Sequence, residues 1–534
     1  MADKLANAIE KRFSQLKNKR ETWEKHWQEI GDFVIPRKAD INKVRSPGDK
    51  RTEQVFDGTA LHAAELLSAS LHGMLTNAST KWFTLNFRQF EVNEDDAAKE
   101  WLESVEEVMY MALSKSNFQE QIHELYHDLV TFGTAVMMVE DDPDYMLQFS
   151  TRHISECYLS EDAKGRVDTV YRKFKMTNRT ALQQFGSDPF DALRLRKIKE
   201  DPYDMMTIIH AVYPRDDYNP GKASNVNMPI ASVYIDPEEK VTLMESGYRE
   251  MPYVSPRYLK SSFEVGYGRS VAMTALADIK MVNKMSEVSI RYAQKLVDPP
   301  LVVPDDGFML PIRTVPGGLN FKRSGTRDTI EPLNVNTGNP VGLQMEEQRR
   351  GAIRSAFYVD QLILGSSPNM TATEVMQRTE EKMRLLGPVL GRLQAELLQP
   401  LINRVYNILA RKNAFAEAPE SIQGRDLDID YVSPLAKAQR QGDVNSLLQF
   451  LQIISPVAQV DPSVMDYVDI DGMAKHMTKS LSIPATTLRS DEEVESIRAN
   501  REEQQMVEQQ RQDLQAAAQG ASDVIPIAKE LSGG

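Results

Sequence analysis

Residues 269–297 read RSVAMTALADIKMVNKMSEVSIRYAQKLV, and this stretch decides how the rest of the 534-residue chain is read. Leu276, Ile279, Val282, Met285, Val288 and Tyr292 recur at three- and four-residue steps, the period of a helix with one apolar face. The opposite stripe, Lys280, Lys284, Glu287, Arg291 and Lys295, is charged and mostly cationic. Asp298-Pro299-Pro300 stops the helix, because proline lacks an amide donor and restricts the residue before it. From Asp298 to Pro340, 12 of 43 residues are proline or glycine, broken only by short β-prone pieces such as Leu301–Val303 and Thr329–Val335, which predicts a small β-rich insert.

A second helix is expected from Val341 to Ile363, with Glu346, Glu347, Arg349, Arg350 and Arg354 beside Ile353, Phe357 and Leu362. The run Leu364, Gly365, Ser366, Ser367, Pro368, Asn369, Met370, Thr371 suits only a loop. Thr371 and Glu374 then form a capping box, and Leu386, Leu390, Leu393, Leu397, Leu401, Val405 and Ile408 hold one face of a helix running to Asn413. That helix would span roughly 60 Å at about 1.5 Å per residue. Pro388 and Pro400 predict bends in it rather than breaks, since the apolar period runs through both.

The remainder is ordinary soluble composition, 41% hydrophobic and 26% charged, long enough for more than one core. No apolar run approaches a membrane span, and the N-terminus lacks the apolar centre of a signal peptide. A reducing cytoplasm is therefore expected, with the single Cys157 as a small buried hydrophobe. A net charge of −14 argues against a protein that grips nucleic acid over a broad basic surface, but it allows a conduit that lets DNA slide. The basic loop Arg37–Arg51 could touch nucleic acid, although a solvated surface loop is the simpler reading.

Along the chain, Leu5 to Ile30 marks an N-terminal helix ended by Pro36, and Asp57 or Thr59 can cap the next. Lys81–Phe87 alternates as a strand, and two helices fit Asp95–Ser114 and Phe118–Phe132. Gly133–Tyr258 changes to short strands at Ala135–Val139, Tyr145–Ser150, Val167–Lys175, Met206–Tyr213, Ile230–Ile235 and Val241–Ser246. Gly266-Tyr267-Gly268 is too short a glycine pattern to define a phosphate loop, and no nucleotide motif occurs. Helices are expected again at Leu435–Ile454 and Asp471–Leu481, followed by a Glu/Gln-rich helix from Ser490 with a poor apolar stripe.

One motif resembles a catalytic one. His123-Glu124-Leu125-Tyr126-His127 matches His-Glu-x-x-His, in which two imidazoles one helical turn apart hold zinc while the glutamate activates water. No third histidine follows in the zinc-peptidase manner, so Glu140 or Glu156, in or beside predicted strands, would have to serve as ligand. The simpler reading is an amphipathic helix with Ile122, Leu125 and Leu129 inward. No other catalytic constellation is present in the sequence, and no cofactor or metal is expected.

The order helix, β insert, helix, loop and long kinked helix resembles the portal, or head-to-tail connector, proteins of tailed bacteriophages, and most nearly those of short-tailed, T7-like phages. The residues that carry the resemblance are Thr80-Lys81-Trp82-Phe83-Thr84-Leu85, Gly133-Thr134-Ala135-Val136, Tyr267-Gly268-Arg269-Ser270, Thr371-Ala372-Thr373-Glu374-Val375 and the Glu/Gln-rich C-terminal helix. The resemblance implies an α+β, predominantly helical subunit of a ring, usually of twelve copies, at one capsid vertex. It divides the chain into a wing (1–268 and 372–429), stem helices (269–297 and 341–363), a clip (298–340), a channel loop (364–371), a crown (430–489) and a C-terminal helix and tail (490–534). It further implies double-stranded DNA in the channel, facing residues 364–371 and, on the stem, Lys280, Lys284, Arg291 and Lys295 unless that stripe faces outer solvent. The clip, with Arg313, Lys322, Arg323 and Arg327, would dock partners. The implied partners are the terminase motor, a tail adaptor protein, and capsid and scaffolding proteins, with no membrane. The protein would act in the virion after assembly in the host cytoplasm. The alternative from another class is a virion zinc metallopeptidase.

Overall fold

A computed structural model describes residues 3–43, 45, 46, 48–87, 96–222, 224–305, 308–325, 327, 329–333, 340–362, 386–420, 422, 424, 427–431, 444, 446–456, 468–481, 489 and 493–511. These belong to two units: Met1–Phe83 with Met109–Ala414 and Tyr431–Leu435, and Thr84–Val108 with Phe415–Asp430 and Ala436–Gly534.

In the first unit, α1 (Lys4–Val34) starts where the Asp3 carboxylate accepts from the Leu5 amide. Two helices follow it, α2 (Thr59–Leu75) and, after β1 (Phe83–Phe87) and α3 (Asp96–Lys115), α4 (Phe118–Phe132). Asp57 caps the start of α2 from just outside it, accepting from Thr59 N at 2.9 Å. The strands then form two antiparallel sheets. β2 (Val136–Asp142) pairs with β3 (Met146–Arg152), and β4 (Cys157–Glu161), β5 (Val167–Thr177), β6 (Met205–Pro214), β7 (Ile230–Asp236) and β8 (Val241–Tyr248) form a meander in sequence order. β9 (Tyr253–Val254) closes the smaller sheet on the free edge of β2.

The meander is covered on both faces, and strand alternation decides which residues go where. Ile209 and Ala211 of β6, with Ala231, Val233 and Ile235 of β7, pack against Ala6, Ile9, Phe13 and Leu16 of α1. Their sequence neighbours Met206, Ile208 and Tyr234 pack with Ala181 and Ile198, which lie on α5 (Asn178–Phe185) and α6 (Ala192–Glu200). Neither of these helices, nor β4 or β9, was expected from the sequence. α1 is further tied down by Arg20, which donates to the carbonyls of Ile154, Ser155 and Cys157 at 2.6–2.9 Å and stacks on Tyr158 at 3.6 Å. Cys157 is a buried free thiol, as expected, with its pKa pushed by burial to about 12.

α7 (Val271–Val297) coincides with the expected first helix. Within the insert, β10 (Leu301–Val302) pairs with β11 (Glu331–Pro332), so the strand expected over Thr329–Val335 is described as only two residues. The second helix is not continuous to Ile363. α8 (Pro340–Ala356) ends, Tyr358 takes a left-handed conformation at φ 59°, and a single turn, α9 (Val359–Leu362), resumes. A left-handed residue ends a helix and redirects the chain, and here it accompanies the complete burial of Phe357. Residues 386–393 are helical through Pro388, Gln394–Leu398 form a π-helical turn, and α10 (Gln399–Arg411) completes the long helix. Its expected start at Thr371 lies outside the described residues.

In the second unit, β1 pairs with β12 (Leu427–Tyr431). Leu85 N donates to the buried Glu106 carboxylate at 2.7 Å, and Trp101 Nε1 donates to Ala416 O at 3.0 Å. α11 (Ile470–Leu481) meets the helical residues 493–511 through a bidentate Arg498–Asp471 pair at 2.6 and 2.7 Å. About half of the described residues are helical, among several small sheets, the α+β, predominantly helical class expected.

Candidate assembly and channel surface

α7 is capped by Ser270, whose hydroxyl accepts from Met273 N at 3.0 Å. Val271, Ala272, Ala275, Leu276, Ile279 and Val282 are buried against α8, α1 and α4. The α7–α8 pairing also has a polar seam. Buried Glu346 accepts from Ser286 Oγ at 2.8 Å, from Ser289 Oγ at 3.3 Å and from Arg350. Arg350 reaches on to Asp57 at 2.9 Å, so the residue that caps α2 also anchors α8. Asn283 clamps the segment before α2, accepting from Phe56 N at 2.7 Å and donating to Gln54 O at 2.8 Å. A buried carboxylate with this many donors fixes the register of the two helices, because any slip leaves a charge unpaired.

Past Ser286 the helix changes character. From Ile290 to Val297 all side chains but Tyr292 are exposed, with Leu296 at 55% and Val297 at 87%. Met281 and Val288 are exposed too, and with Met285 and Tyr292 they form a stripe. That stripe lies one residue round the helix from the charged one, about 100° away. In the charged stripe Lys280 pairs with Glu29 at 3.1 Å, while Glu287 pairs with Lys284 at 2.8 Å and Arg291 at 2.5 Å. Those two cations hold the Glu287 carboxyl below its ordinary pKa. Lys295 is exposed, so the four expected cations share one face, with Lys280 paired to Glu29 and with Lys284 and Arg291 sharing the single Glu287 carboxylate.

The insert is built as an exposed hairpin-like lobe. Phe308 bridges Lys322, Met309 N donates to Phe321 O at 3.1 Å, and Asn320 binds both backbone groups of Arg313 at 2.6 and 2.8 Å. Arg313, Lys322, Arg323 and Arg327 are all exposed, as are Met309, Leu310, Val315, Leu319 and Phe321. These apolar side chains leave a concentrated exposed apolar surface on one small lobe. The expected channel loop, Leu364 to Thr371, lies outside the described residues.

Two sequence motifs 134 residues apart turn out to be one joint. Gly268 N donates to Thr134 Oγ1 at 2.8 Å, and Tyr258 N donates to Gly133 O at 2.9 Å. Gly133 ends α4 at φ 78°, and a Cβ there would stand 2.5 Å from Gly268 O. Only glycine meets both conditions. The amide of Gly266 is likewise taken, by Glu161 at 2.8 Å, so this glycine pattern serves packing rather than phosphate.

Beside the joint sits a charged hub that the sequence reading missed. Arg257, 2% exposed, bonds Glu161, donates to Glu396 at 2.8 and 2.9 Å and to Gly165 O at 2.8 Å. Its partners are far apart in sequence, which leaves no local signal.

The His-Glu-x-x-His residues take structural roles. Glu124 pairs with Lys38 at 2.7 Å, and His127 is buried with its pKa lowered to about 4, chiefly by burial. The His123 ring lies tilted against that of His72, with centroids 5.6 Å apart, and His72 Nε2 meets Gln119 at 2.8 Å. Among the described residues no group of three His, Cys, Asp or Glu is placed to hold a metal ion. In the basic loop, Lys43 and Arg45 pair with Asp32 and so fold the loop onto α1, while Arg51 pairs with Asp40 within the loop.

α7 and α8 thus pair with an apolar stripe left exposed, and an exposed lobe lies between them in the chain. Comparison with known proteins gives the family. The family described as bacteriophage head to tail connecting protein matches residues 6–488. The chain is 34% identical over 96% of its length to a protein named probable portal protein of Bordetella phage BPP-1, covering 94% of it. It is 31% identical over 98% of its length to the portal protein of Salmonella phage epsilon15, covering 95%, and 19% identical over 83% to that of Enterobacteria phage T3, covering 85%. The chain belongs to the bacteriophage head to tail connecting proteins.

Proposed function

We propose that copies of this chain close into a ring, usually of twelve, at the portal vertex of the virion, and that double-stranded DNA passes through its bore. In this reading the terminase motor drives the genome in through the ring, the tail adaptor joins it to the tail, and ejection uses the same path. α7 and α8 form the stem, the insert forms the clip that meets motor and tail proteins, and residues 364–371 face the DNA. Capsid and scaffolding proteins meet the outer parts. Leu364–Thr371 has no Lys or Arg, so contacts there would use backbone amides, Ser366, Ser367 and Asn369, which suits a path along which DNA slides.

The observation that carries the reading is the pair of stripes on α7. An apolar stripe left bare beside a charged one is what a helix needs if a neighbouring copy covers the first while water in a bore covers the second. The ion pairs of Glu287 support this, because they moderate the positive charge toward DNA and so avoid a grip that would stall sliding. Negative-stain images of the purified chain should show closed rings with a central hole. A monodisperse monomer at micromolar concentration by light scattering would overturn the proposal.

A further inference from the structure

The long helix carries the one π-helical turn among the described residues, Gln394–Leu398, and a proline explains its position. Pro400 has no N–H for the carbonyl of Glu396, its ordinary helical acceptor, and its ring would press on that carbonyl. The turn widens instead, and Gln399 N bonds Gln394 O, five residues back. Such turns are uncommon and need support.

Here the support comes from side chains. Glu396 Oε2 accepts from Arg257 N at 3.1 Å and Nε at 2.9 Å, while Oε1 accepts from Arg257 Nη2 at 2.8 Å and Arg392 Nη1 at 3.1 Å. Arg257 cannot swing away, because Glu161 and Gly165 O hold the rest of its guanidinium and its backbone bridges Thr134. It also stands against Gly268, where an added Cβ would lie 2.8 Å from Arg257 Cβ, two residues before the Ser270 cap of α7. The helix beyond the turn has its own anchor. Arg404 and Arg411 reach Glu250 at 2.7 and 3.0 Å, Asn407 joins them, and Lys412 donates to Asp142 O at 2.6 Å.

We propose that the π-turn is a hinge and that the Arg257–Glu396 pair is its latch, coupling the direction of residues 386–393 to the base of α7 while α10 stays fixed on the small sheet. With the latch closed the widened turn keeps its register. With it open, residues 386–393 move as a unit, and one residue of register amounts to about 100° of rotation and about 1.5 Å of translation. The hinge deepens the channel reading and rests on it only for its consequence, since residues 386–393 follow residues 364–371 closely in the sequence.

Hydrogen exchange on the full-length protein tests the hinge without DNA. Glu396→Gln keeps the size of the side chain but removes the charge-assisted fork, so amides of 386–398 should exchange about tenfold faster while α10, β6 and β7 stay within about twofold. Arg257→Lys, which keeps the charge and loses the fork, should give the same pattern with a smaller rise. Pro400→Ala restores the missing donor and should slow exchange at 394–399. Unchanged exchange over 386–398 in Glu396→Gln and Arg257→Lys would overturn the proposal. So would a rise shared equally by α10 and the sheet, which would make Glu396 a general structural tie. Rings that form normally while either overturning result is obtained would leave the portal reading standing and remove only the hinge.

Discussion

The two ends of α7 have the same kind of sequence and opposite fates. From Val271 to Val282 most of its apolar residues are buried by α8, α1 and α4, and beyond them Ser286 is bound by Glu346 while Asn283 clamps the segment before α2. From Ile290 onward almost every side chain is exposed, and the insert that follows exposes further large apolar side chains, among them Met309, Leu310, Leu319 and Phe321. An amphipathic pattern says that a face will be covered, but not whether the chain itself or another molecule covers it.

The largest effect should come from the joint below the buried end. Gly133→Val needs both a strained backbone and a clash with Gly268 O, so it should cost about 3 kcal/mol or more in urea denaturation. A loss below about 1 kcal/mol would show that the joint can open freely. Within the helix, Ile279→Ala should cost about 2–5 kcal/mol by the same measurement, because Ile279 is 4% exposed and leaves a cavity.

A third test uses pH. Burial, assisted by Arg37 and Lys38, lowers the pKa of His127 from 6.5 to about 4. The folded value lies below the unfolded one, so the unfolded chain binds the extra proton; this stability is intact above about pH 6.5 and falls as pH drops toward 4. Between pH 7 and 5 the loss from this one group is about 2 kcal/mol, and His127→Gln should flatten the slope by that amount. An unchanged slope would mean that His127 takes up its proton without disturbing the fold.

At the uncovered end the expected change in stability is smallest and the consequence for assembly is greatest. Val288→Asp should shift unfolding by no more than about 0.5 kcal/mol, since the residue is 55% exposed, yet it should abolish rings in negative stain. If the rings survive, the apolar stripe is not the contact between copies. Deleting Val315–Arg327 should leave both stability and rings intact and prevent motor or tail attachment in a packaging extract. Loss of rings instead would make the insert part of the contact between copies.

Much of the buried end was legible in advance. The period of Leu276, Ile279 and Val282 and the stop at Asp298-Pro299-Pro300 placed α7 to within two residues, and α4 agrees residue for residue. The expected strands of the middle region all form, because alternation and acidic turns are local signals. The break at Tyr358 was not legible, since the apolar period continues through it. α5 and α6 escaped because they are only eight and nine residues long, α5 being mostly polar and α6 strongly charged.

The sequence by itself determined the elements: where helices start and stop, which faces are apolar, and that Gly133 and Gly268 were worth marking. Those properties depend on residues within a turn or two of each other. Only the tertiary structure decided that the two glycines meet and that Arg257 binds Glu161 and Glu396 from opposite sides along the chain. A charge or a close approach is specified by its partner, and a partner more than a hundred residues away leaves no mark on the local pattern.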